Sequence, residues 1–468
     1  MFGADREDDG VRVATVRILP VAALLVAVGA LTVWLVAVLG PVTGRTIPRY
    51  LAIEGACWAL VTVAVLLLRR VPRRAVPGVV LAGALLLGAA GATGQPTLST
   101  DSARYAWDGI VQDAGVSPYA HVPADAALAH LRPDWLFPAG TRGPDGALAC
   151  PGPYARPTTQ VGAPGEICTS INRPLVPTIY PPVAEALFAV ARLPVPADVG
   201  WLPMQLLGLL AVLATTALLL RALPRAGRDP RWAAVYAWSP FVVTEAVTNA
   251  HVDAWAAFLA LAATVLVARG RRAVGGVVLG LAVATKFLPL LVAPPMGRRR
   301  PWAIGLAALG TVVAVYLPHV LAAGPSVIGY LPGYLDEEGY DSGSRSALLS
   351  AVLPAGASTP VAVALLAVLA VALLVRTDPA HPWAAQALMV GAALVLLTPR
   401  YSWYSLLLLP FVVMSGRWEW LTVLLVLAVP ALQRDEQAFR AVLLVAVVVV
   451  VVAGVVRRRV GSVNLRDP

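Results

Sequence analysis

A group of polar and aromatic residues near position 100 contains side chains that could move a proton. Asp101 is followed within eight residues by Arg104, Tyr105, Trp107 and Asp108. A carboxylate at the edge of an apolar segment can accept a proton from a hydroxyl group while that hydroxyl attacks an electrophile. Asp101 is therefore a candidate general base. The alternative interpretation is a solvated turn or a helix cap without a catalytic role.

The spacing of this group matters as much as its composition. If residues 101–115 form a helix, Asp101, Arg104, Tyr105 and Asp108 share one face, because they stand at i, i+3, i+4 and i+7. Asp101 and Arg104 could then form an ion pair, which is the alternative to a catalytic role for Asp101.

A second polar group, TNAHVDAW, contains His251 and Asp253 between two apolar runs. Ionisable side chains at membrane depth are costly and usually face a cavity or a partner. His251 and Asp253 could position a substrate, or they could only cap the helices on either side. Two ligands at i and i+2 could also bind a metal, but no third histidine or carboxylate cluster accompanies them.

Lys286 is the only lysine among the 36 basic residues of the chain, and it lies in an apolar run. Its long side chain could carry the ammonium group towards the headgroup region, where a lipid phosphate would meet it. The alternative is a buried ion pair with Glu245 or Asp253.

The composition indicates which elements position these residues. Of the 468 residues, 58% are hydrophobic and 13% are charged, and the mean hydropathy of +0.75 is that of a polytopic membrane protein. This composition excludes a cytosolic enzyme, a nucleic-acid-binding domain and a disulfide-rich secreted module. The net charge of +10 comes from small arginine clusters beside apolar runs, which is typical of orientation signals.

The sequence predicts an all-α polytopic membrane protein with about 12 spanning helices and a large outer loop that carries the active site. The predicted spans are 17–39, 50–68, 75–93, 199–220, 232–249, 254–268, 301–322, 359–375, 382–398, 402–416, 419–433 and 438–456.

Residues 273–297 are the exception, because basic clusters stand at both ends and require the segment to enter and leave on one side. Pro289, Pro294 and Pro295 supply breaks, so a re-entrant hairpin is expected. With that hairpin, both termini are cytoplasmic. The segment 181–194 is too short to span and is expected to be an amphipathic element at the outer interface.

The predicted organisation has five parts. Residues 1–93 form a cytoplasmic tail and three membrane helices, and 94–198 form the large extracytoplasmic catalytic loop with interfacial helices, of which 181–194 is one. Residues 199–322 form the membrane core with the turn that carries His251 and Asp253 and the hairpin that carries Lys286. Residues 323–358 form a second extracytoplasmic loop, and 359–468 the C-terminal membrane helices and a short cytoplasmic tail. Cys150 and Cys168 lie in the large loop and could form a disulfide or remain unpaired thiols.

Three segments together resemble a known family: TDSARYAWDGIVQDAGVSPYAHVP, INRPLVPTIYPPVAEALFA and TNAHVDAW with its continuation to ATKFLPLL. They are similar to GT-C superfamily membrane glycosyltransferases, especially actinobacterial polyprenol-phosphate-mannose-dependent mannosyltransferases. The resemblance implies that Asp101 is the catalytic base. It implies that Arg104, Tyr105, Asp108 and Tyr119 line the cavity, that Lys286 meets the donor phosphate, and that His251 and Asp253 line the donor side.

The resemblance also implies a reaction. A hexose, with mannose as the first choice, would pass with inversion from a polyprenyl-phosphate carrier to a glycolipid or glycan of the cell envelope, at the outer face of a bacterial plasma membrane. No metal is required in this interpretation, and no nucleic acid is a partner. Many superfamily members carry adjacent acids in the loop, whereas Ser102 follows Asp101 here, which leaves a divalent metal open. The alternative function is a flippase for lipid-linked sugars or a small-solute transporter.

Overall fold

The structure is a computed structural model that describes residues 4–463, apart from 194, 299, 329, 341–344, 355, 400, 430 and 431. Helices make up most of the described chain. The α-helices are α1 Ala4–Val33, α2 Ile47–Leu67, α3 Val76–Gly91, α4 Asp101–Asp113, α5 Pro182–Arg192, α6 Leu202–Arg225, α7 Ala233–Ala237, α8 Pro240–Val242, α9 Asp253–Ala268, α10 Arg272–Val283, α11 Pro301–Ala323, α12 Leu331–Glu337, α13 Ser358–Arg376, α14 Trp383–Leu397, α15 Leu408–Ser415, α16 Leu421–Ala428 and α17 Glu436–Val463.

Shorter elements complete the described secondary structure. Two segments are π-helical, Trp34–Leu39 and Val243–Thr248. Two antiparallel hairpins lie between α4 and α5: β1 (Thr141–Arg142) pairs with β2 (Leu148–Ala149), and β3 (Arg156–Thr159) pairs with β4 (Glu166–Thr169). The 3₁₀ turns are Leu68–Arg70, Ala126–Leu131, Pro230–Trp232, Leu288–Val292, Pro294–Met296, Gly324–Ile328, Ser402–Leu406, Trp418–Trp420 and Leu432–Arg434.

Six helical stretches of the described chain are long and apolar enough to cross a membrane: Val16–Leu39, Ile47–Arg70, Leu202–Arg225, Pro301–Val327, Ser358–Arg376 and Glu436–Arg459. The number rises to seven if Pro240–Thr248 and Asp253–Ala268, which meet at an angle of 114°, form one broken span. These helices support a multi-pass membrane protein.

The predicted count of about 12 spans is not confirmed. A perpendicular span needs about 20 residues, and several predicted spans form shorter apolar helical stretches, namely Val76–Gly91, Trp383–Leu397, Ser402–Ser415 and Trp418–Ala428.

The predicted re-entrant hairpin at 273–297 is not confirmed either. The helix α10 ends at Val283, and Leu288–Val292 and Pro294–Met296 are 3₁₀ turns rather than a second α-helical half. Pro289, Pro294 and Pro295 lie within these 3₁₀ turns, and each lacks the backbone N–H that an α-helix would use there. A sharp bend occurs instead between residues 240 and 268, where the sequence had predicted two separate spans.

The Cα positions group into two compact units. The first unit comprises Met1–Leu259, Gly280–Phe287 and Ala308–Leu331, and the second comprises Ala260–Leu279, Leu288–Ala307 and Pro332–Pro468. The five-part organisation expected from the sequence remains a prediction.

In the first unit, α1 packs on α2 and α3, α3 packs on α6, and α5 packs on both α4 and α6. Two glycines permit close approach. A Cβ at Gly83 would lie 2.3 Å from Nε1 of Trp238, whose indole donates to the carbonyl of Val80. A Cβ at Gly208 would lie 1.8 Å from the carbonyl oxygen of Ala246, so α6 can lie directly on the π-helical segment only because residue 208 has no side chain.

The helix expected at 181–194 is present as α5. An interfacial helix would expose its charged side chains to water, but those of α5 are buried. Glu185 and Arg192 are buried, with 0% and 1% exposure. Arg192 donates to the carbonyls of Val199 and Pro196 over 2.6 and 2.7 Å. Both side chains therefore anchor α5 to protein, and the location of α5 at a membrane interface stays a prediction.

In the second unit, α14 packs on α13 and α15, and α16 packs on α17. The buried Gln386 amide donates to Oγ1 of Thr264 and to the carbonyl of Val292, over 2.9 and 3.1 Å. These bonds join helix α14 to residues distant in the sequence.

Candidate active site

Asp101 is the first residue of α4, and the structure places it where a base could act. Its Oδ1 accepts a hydrogen bond of 2.6 Å from Nδ2 of Asn172, and its backbone N–H donates to Oγ of Ser99 over 3.2 Å. The side chain is 14% exposed. A carboxylate in this position can accept a proton from a hydroxyl group that reaches it.

His251 lies between two carboxylates. Its Nδ1 is 3.7 Å from Oδ2 of Asp101, and its Nε2 is 3.4 Å from Oε2 of Glu245. The imidazole is fully buried. The structure thus brings together one residue predicted as the base and one predicted to line the donor side, with a third residue, Glu245, behind them.

The turn that carries His251 has an unusual backbone. It follows the π-helical segment Val243–Thr248, and Ala250 adopts a left-handed conformation with φ of 55°. The N–H of His251 donates to the carbonyl of Glu245 over 3.0 Å. Many helix ends are closed by a bond of this kind, and they usually have a glycine where this chain has Ala250. A left-handed alanine is strained and persists only where the surrounding contacts impose it.

Asn249 supplies such contacts. Its Oδ1 accepts hydrogen bonds from the backbone N–H groups of Thr97 and Leu98, over 2.9 and 3.1 Å, and its Nδ2 donates to Glu245 over 3.1 Å. The turn at 249–252 is therefore tied to the segment that leads into Asp101.

Lys286 forms an ion pair with Asp253, with Nζ 2.7 Å from Oδ2. Of the two interpretations drawn from the sequence, the structure shows the ion pair. The side chain of Lys286 is 17% exposed and that of Asp253 5%. A contact between Lys286 and a donor phosphate remains a prediction.

Arg104 and Asp108 pair with each other rather than with Asp101. Nε of Arg104 lies 2.8 Å from Oδ1 of Asp108, and both side chains are buried. The ion pair between Asp101 and Arg104 was an alternative drawn from the sequence, and the structure instead pairs Arg104 with Asp108, one helical turn further on. Burial raises the pKa of Asp108, and the adjacent Arg104 opposes that shift.

Glu185 of α5 completes this buried network. Its carboxylate accepts hydrogen bonds from Thr178 and Gln112 over 2.7 and 2.9 Å. Burial raises the pKa of Glu185 well above its usual range, and the negative charge of Asp108 adds to the effect. We therefore assign Arg104 and Asp108 to the support of α4.

Tyr105 and Tyr119 are buried aromatic residues near Tyr180. The ring of Tyr105 stacks on Phe188 with centroids 4.4 Å apart and meets Tyr180 edge-on at 4.9 Å. The hydroxyl of Tyr119 donates to the carbonyl of Tyr180 over 2.7 Å, and its ring lies 5.5 Å from that of His319. Burial raises the pKa of both tyrosine hydroxyls, which keeps them neutral.

The structure joins Cys150 and Cys168 by a disulfide. Cys168 lies on β4, four positions before Asn172, so the bridge ties down the strand that leads to the partner of Asp101. Among the residues that the structure describes, no group of three or more His, Cys, Asp or Glu side chains could hold a metal ion.

No role in the site was predicted from the sequence for Asn172, Glu245 or Asn249. Asn172 stands in the INRP segment and Asn249 in TNAHVDAW, but neither residue type by itself signals chemistry. Glu245 carried a usable signal, since an acidic residue in an apolar run usually faces a partner.

The candidate spans indicate a multi-pass membrane protein, and in it the carboxylate of Asp101 lies beside the buried imidazole of His251. The model of Glycosyltransferase family 87 matches residues 178–399, slightly less than half of the chain. This match indicates a glycosyltransferase enzyme and, with the candidate spans, supports a membrane glycosyltransferase. His251, Glu245 and Lys286 lie within the matched segment and Asp101 before it. No curated protein and no solved structure matches the chain.

Proposed function

We propose that the protein is an inverting glycosyltransferase that moves a hexose, mannose in the first instance, from a polyprenyl-phosphate carrier to a glycolipid or glycan acceptor of the cell envelope. The observation that carries the proposal is the placement of Asp101, which is partly exposed, held by Asn172 and within 3.7 Å of His251. The Glycosyltransferase family 87 match supports the reaction class.

In the proposed reaction, the acceptor hydroxyl attacks the anomeric carbon of the donor sugar. Asp101 takes the hydroxyl proton, a bond forms between the acceptor oxygen and the anomeric carbon, and the bond from that carbon to the phosphate oxygen breaks. The polyprenyl phosphate leaves with the bonding electrons. A β-linked donor would give an α-glycoside.

The positive charge of Lys286 is proposed to stabilise the departing phosphate, with Asp253 holding the ammonium group in place. The buried tyrosines Tyr105 and Tyr119 are proposed to shape the cavity beside Asp101. If the segment 273–297 enters and leaves the membrane on one side, the arginine clusters beside the apolar runs place both termini in the cytoplasm and the site on the outer face of a bacterial plasma membrane.

The test is sugar transfer by purified protein in nanodiscs. Labelled polyprenyl-phosphate-mannose serves as donor and a membrane lipid extract as acceptor. Wild type should form a labelled product, Asp101→Asn should form none while remaining folded, and Asp113→Asn, which changes an exposed carboxylate at the other end of α4, should match wild type.

Three outcomes would count against the proposal. Normal turnover by Asp101→Asn removes the assigned base. Product only from another lipid-linked sugar corrects the choice of mannose. Movement of the lipid-linked sugar across a vesicle membrane, without a new glycosidic bond, identifies a transporter.

A further inference from the structure

We infer that Glu245 is the positioning residue of this site, and that it fixes the Asp101 carboxylate through His251 and through Asn249. The inference rests on the proposed function, in which Asp101 is the base. Glu245 touches neither Asp101 nor a substrate in the proposed reaction, so its action is indirect.

The first connection runs through the imidazole. Oε2 of Glu245 is 3.4 Å from Nε2 of His251, and Nδ1 on the other side of the ring is 3.7 Å from Oδ2 of Asp101. A carboxylate at one ring nitrogen sets which nitrogen carries a proton and fixes the plane of the ring. Both distances exceed the roughly 2.9 Å of a formed hydrogen bond, so each is a charge contact across the ring rather than a hydrogen bond.

The second connection runs through an amide. Oε2 of Glu245 accepts the Nδ2 donor of Asn249, and this fixes which end of the amide faces the segment before α4. The opposite end, Oδ1, then holds the N–H groups of Thr97 and Leu98. Ser99 follows at once and binds the N–H of Asp101. Glu245 thus acts on both the side chain and the backbone of the proposed base.

The position of Glu245 is itself closely determined. It lies in the π-helical segment, its side chain is 3% exposed, and Gly208 lets α6 lie against the adjoining Ala246. A rigid buried carboxylate of this kind is suited to orienting its neighbours, because its own side chain has little freedom.

The first test is Glu245→Gln, which keeps an oxygen for Asn249 but removes the charge that faces His251. We expect kcat to fall by about 10- to 100-fold, the cost of misplacing a reacting group, with both KM values within about twofold of wild type. Thermal unfolding should not change. Glu185→Gln, which makes the same replacement at another buried glutamate of the same unit, should keep the wild-type kcat. Unchanged kcat in Glu245→Gln would overturn the inference, as would a loss matched by unfolding.

The second test is a double-variant cycle with His251→Gln. If Glu245 acts through His251, adding Glu245→Gln to His251→Gln lowers kcat by no more than about twofold, since contacting residues are not additive. Losses that multiply fully would overturn the connection between Glu245 and Asp101 through His251.

A measurement without substrate separates this inference from the proposed function. In ¹⁵N-histidine-labelled protein, the Nε2 signal of His251, assigned by its loss in His251→Gln, should shift in Glu245→Gln, and the other histidine signals should not. A shift in a protein that transfers no sugar would refute the proposed reaction and retain the Glu245–His251 contact. An unshifted signal would overturn the inference whether or not sugar is transferred.

Discussion

The side-chain amide of Asn172 donates a hydrogen bond of 2.6 Å to Oδ1 of Asp101, across 71 positions of the sequence. Asn172 follows the disulfide-bonded hairpin strand β4, whereas Asp101 begins α4. The orientation of the proposed base therefore depends on a loop that could be altered without changing any membrane helix.

Asn172→Ala should lower kcat because the carboxylate of Asp101 loses the donor that orients it. We expect a loss of about 10- to 100-fold. Asn172→Asp should be more damaging at neutral pH, although it has the same shape, because a second negative charge then faces Asp101. Sugar-transfer rates of the two variants, with Gln160→Ala on the adjoining hairpin loop as control, test this order. Equal rates in all of them would remove Asn172 from the site.

Lys286→Ala should weaken both stability and donor use. Loss of the ammonium leaves Asp253 buried without its ion-pair partner, which typically costs about 3–5 kcal/mol. Donor KM should rise about tenfold, corresponding to about 1.4 kcal/mol.

The double variant Lys286→Met with Asp253→Asn separates these two effects. It removes both charges, so thermal stability in detergent should return towards wild type while donor KM stays high. Recovery of donor use together with stability would show that Lys286 serves only its ion pair.

Glu185→Gln should be more stable than wild type, by an amount that grows with pH. The folded-state pKa of Glu185 is raised, chiefly by burial and then by Asp108. Above the ordinary carboxyl value of 4.5, the unfolded chain releases the proton while the folded protein retains it, so wild-type stability falls as pH rises towards the folded-state pKa. Glutamine has no such proton to lose. Parallel melting-temperature curves of the two proteins against pH would contradict this prediction.

Replacement of Cys150 and Cys168 by serine should destabilise the segment between α4 and α5 by about 2–4 kcal/mol, because the bridge closes a loop between positions 18 apart. Reduction of wild type should have a similar effect. Limited proteolysis with and without reductant measures it, and Cys57→Ala, which removes the buried free thiol of α2, should respond to reductant as wild type does. Equal proteolysis in both conditions would show that the bridge contributes little.

Gly208→Ala should disturb the site from a distance. The added methyl group meets the carbonyl of Ala246, and overpacking of this kind costs about 1–3 kcal/mol. Since Ala246 adjoins Glu245, kcat should fall together with the melting temperature. Gly200→Ala, where nothing lies within 4 Å of an added Cβ, should change neither. An unaltered Gly208→Ala variant would show that α6 can move away from the π-helical segment.

Local composition and residue spacing were enough to predict several features of this protein. Hydrophobic runs of about membrane length indicated a membrane protein, and the spacing from Asp101 to Asp108 predicted the helix that the structure shows as α4. The helix expected at 181–194 also formed. The number of spans was less accessible, since apolar residues fill both membrane helices and buried protein helices, and hydropathy alone does not separate the two.

The contacts between particular side chains could not be predicted from the sequence, because they depend on how separate segments pack together. Sequence spacing made Arg104 a possible partner of Asp101. In the structure, where α4 packs against α5, Arg104 instead forms an ion pair with Asp108. The sequence left Glu245 and Asp253 as candidate ion-pair partners of Lys286, and in the structure Lys286 pairs with Asp253. Asn172 and Glu245 reach the site through contacts between distant segments. Their physical basis is the close packing of buried polar groups, each of which must find a hydrogen-bonding partner that composition and periodicity do not specify.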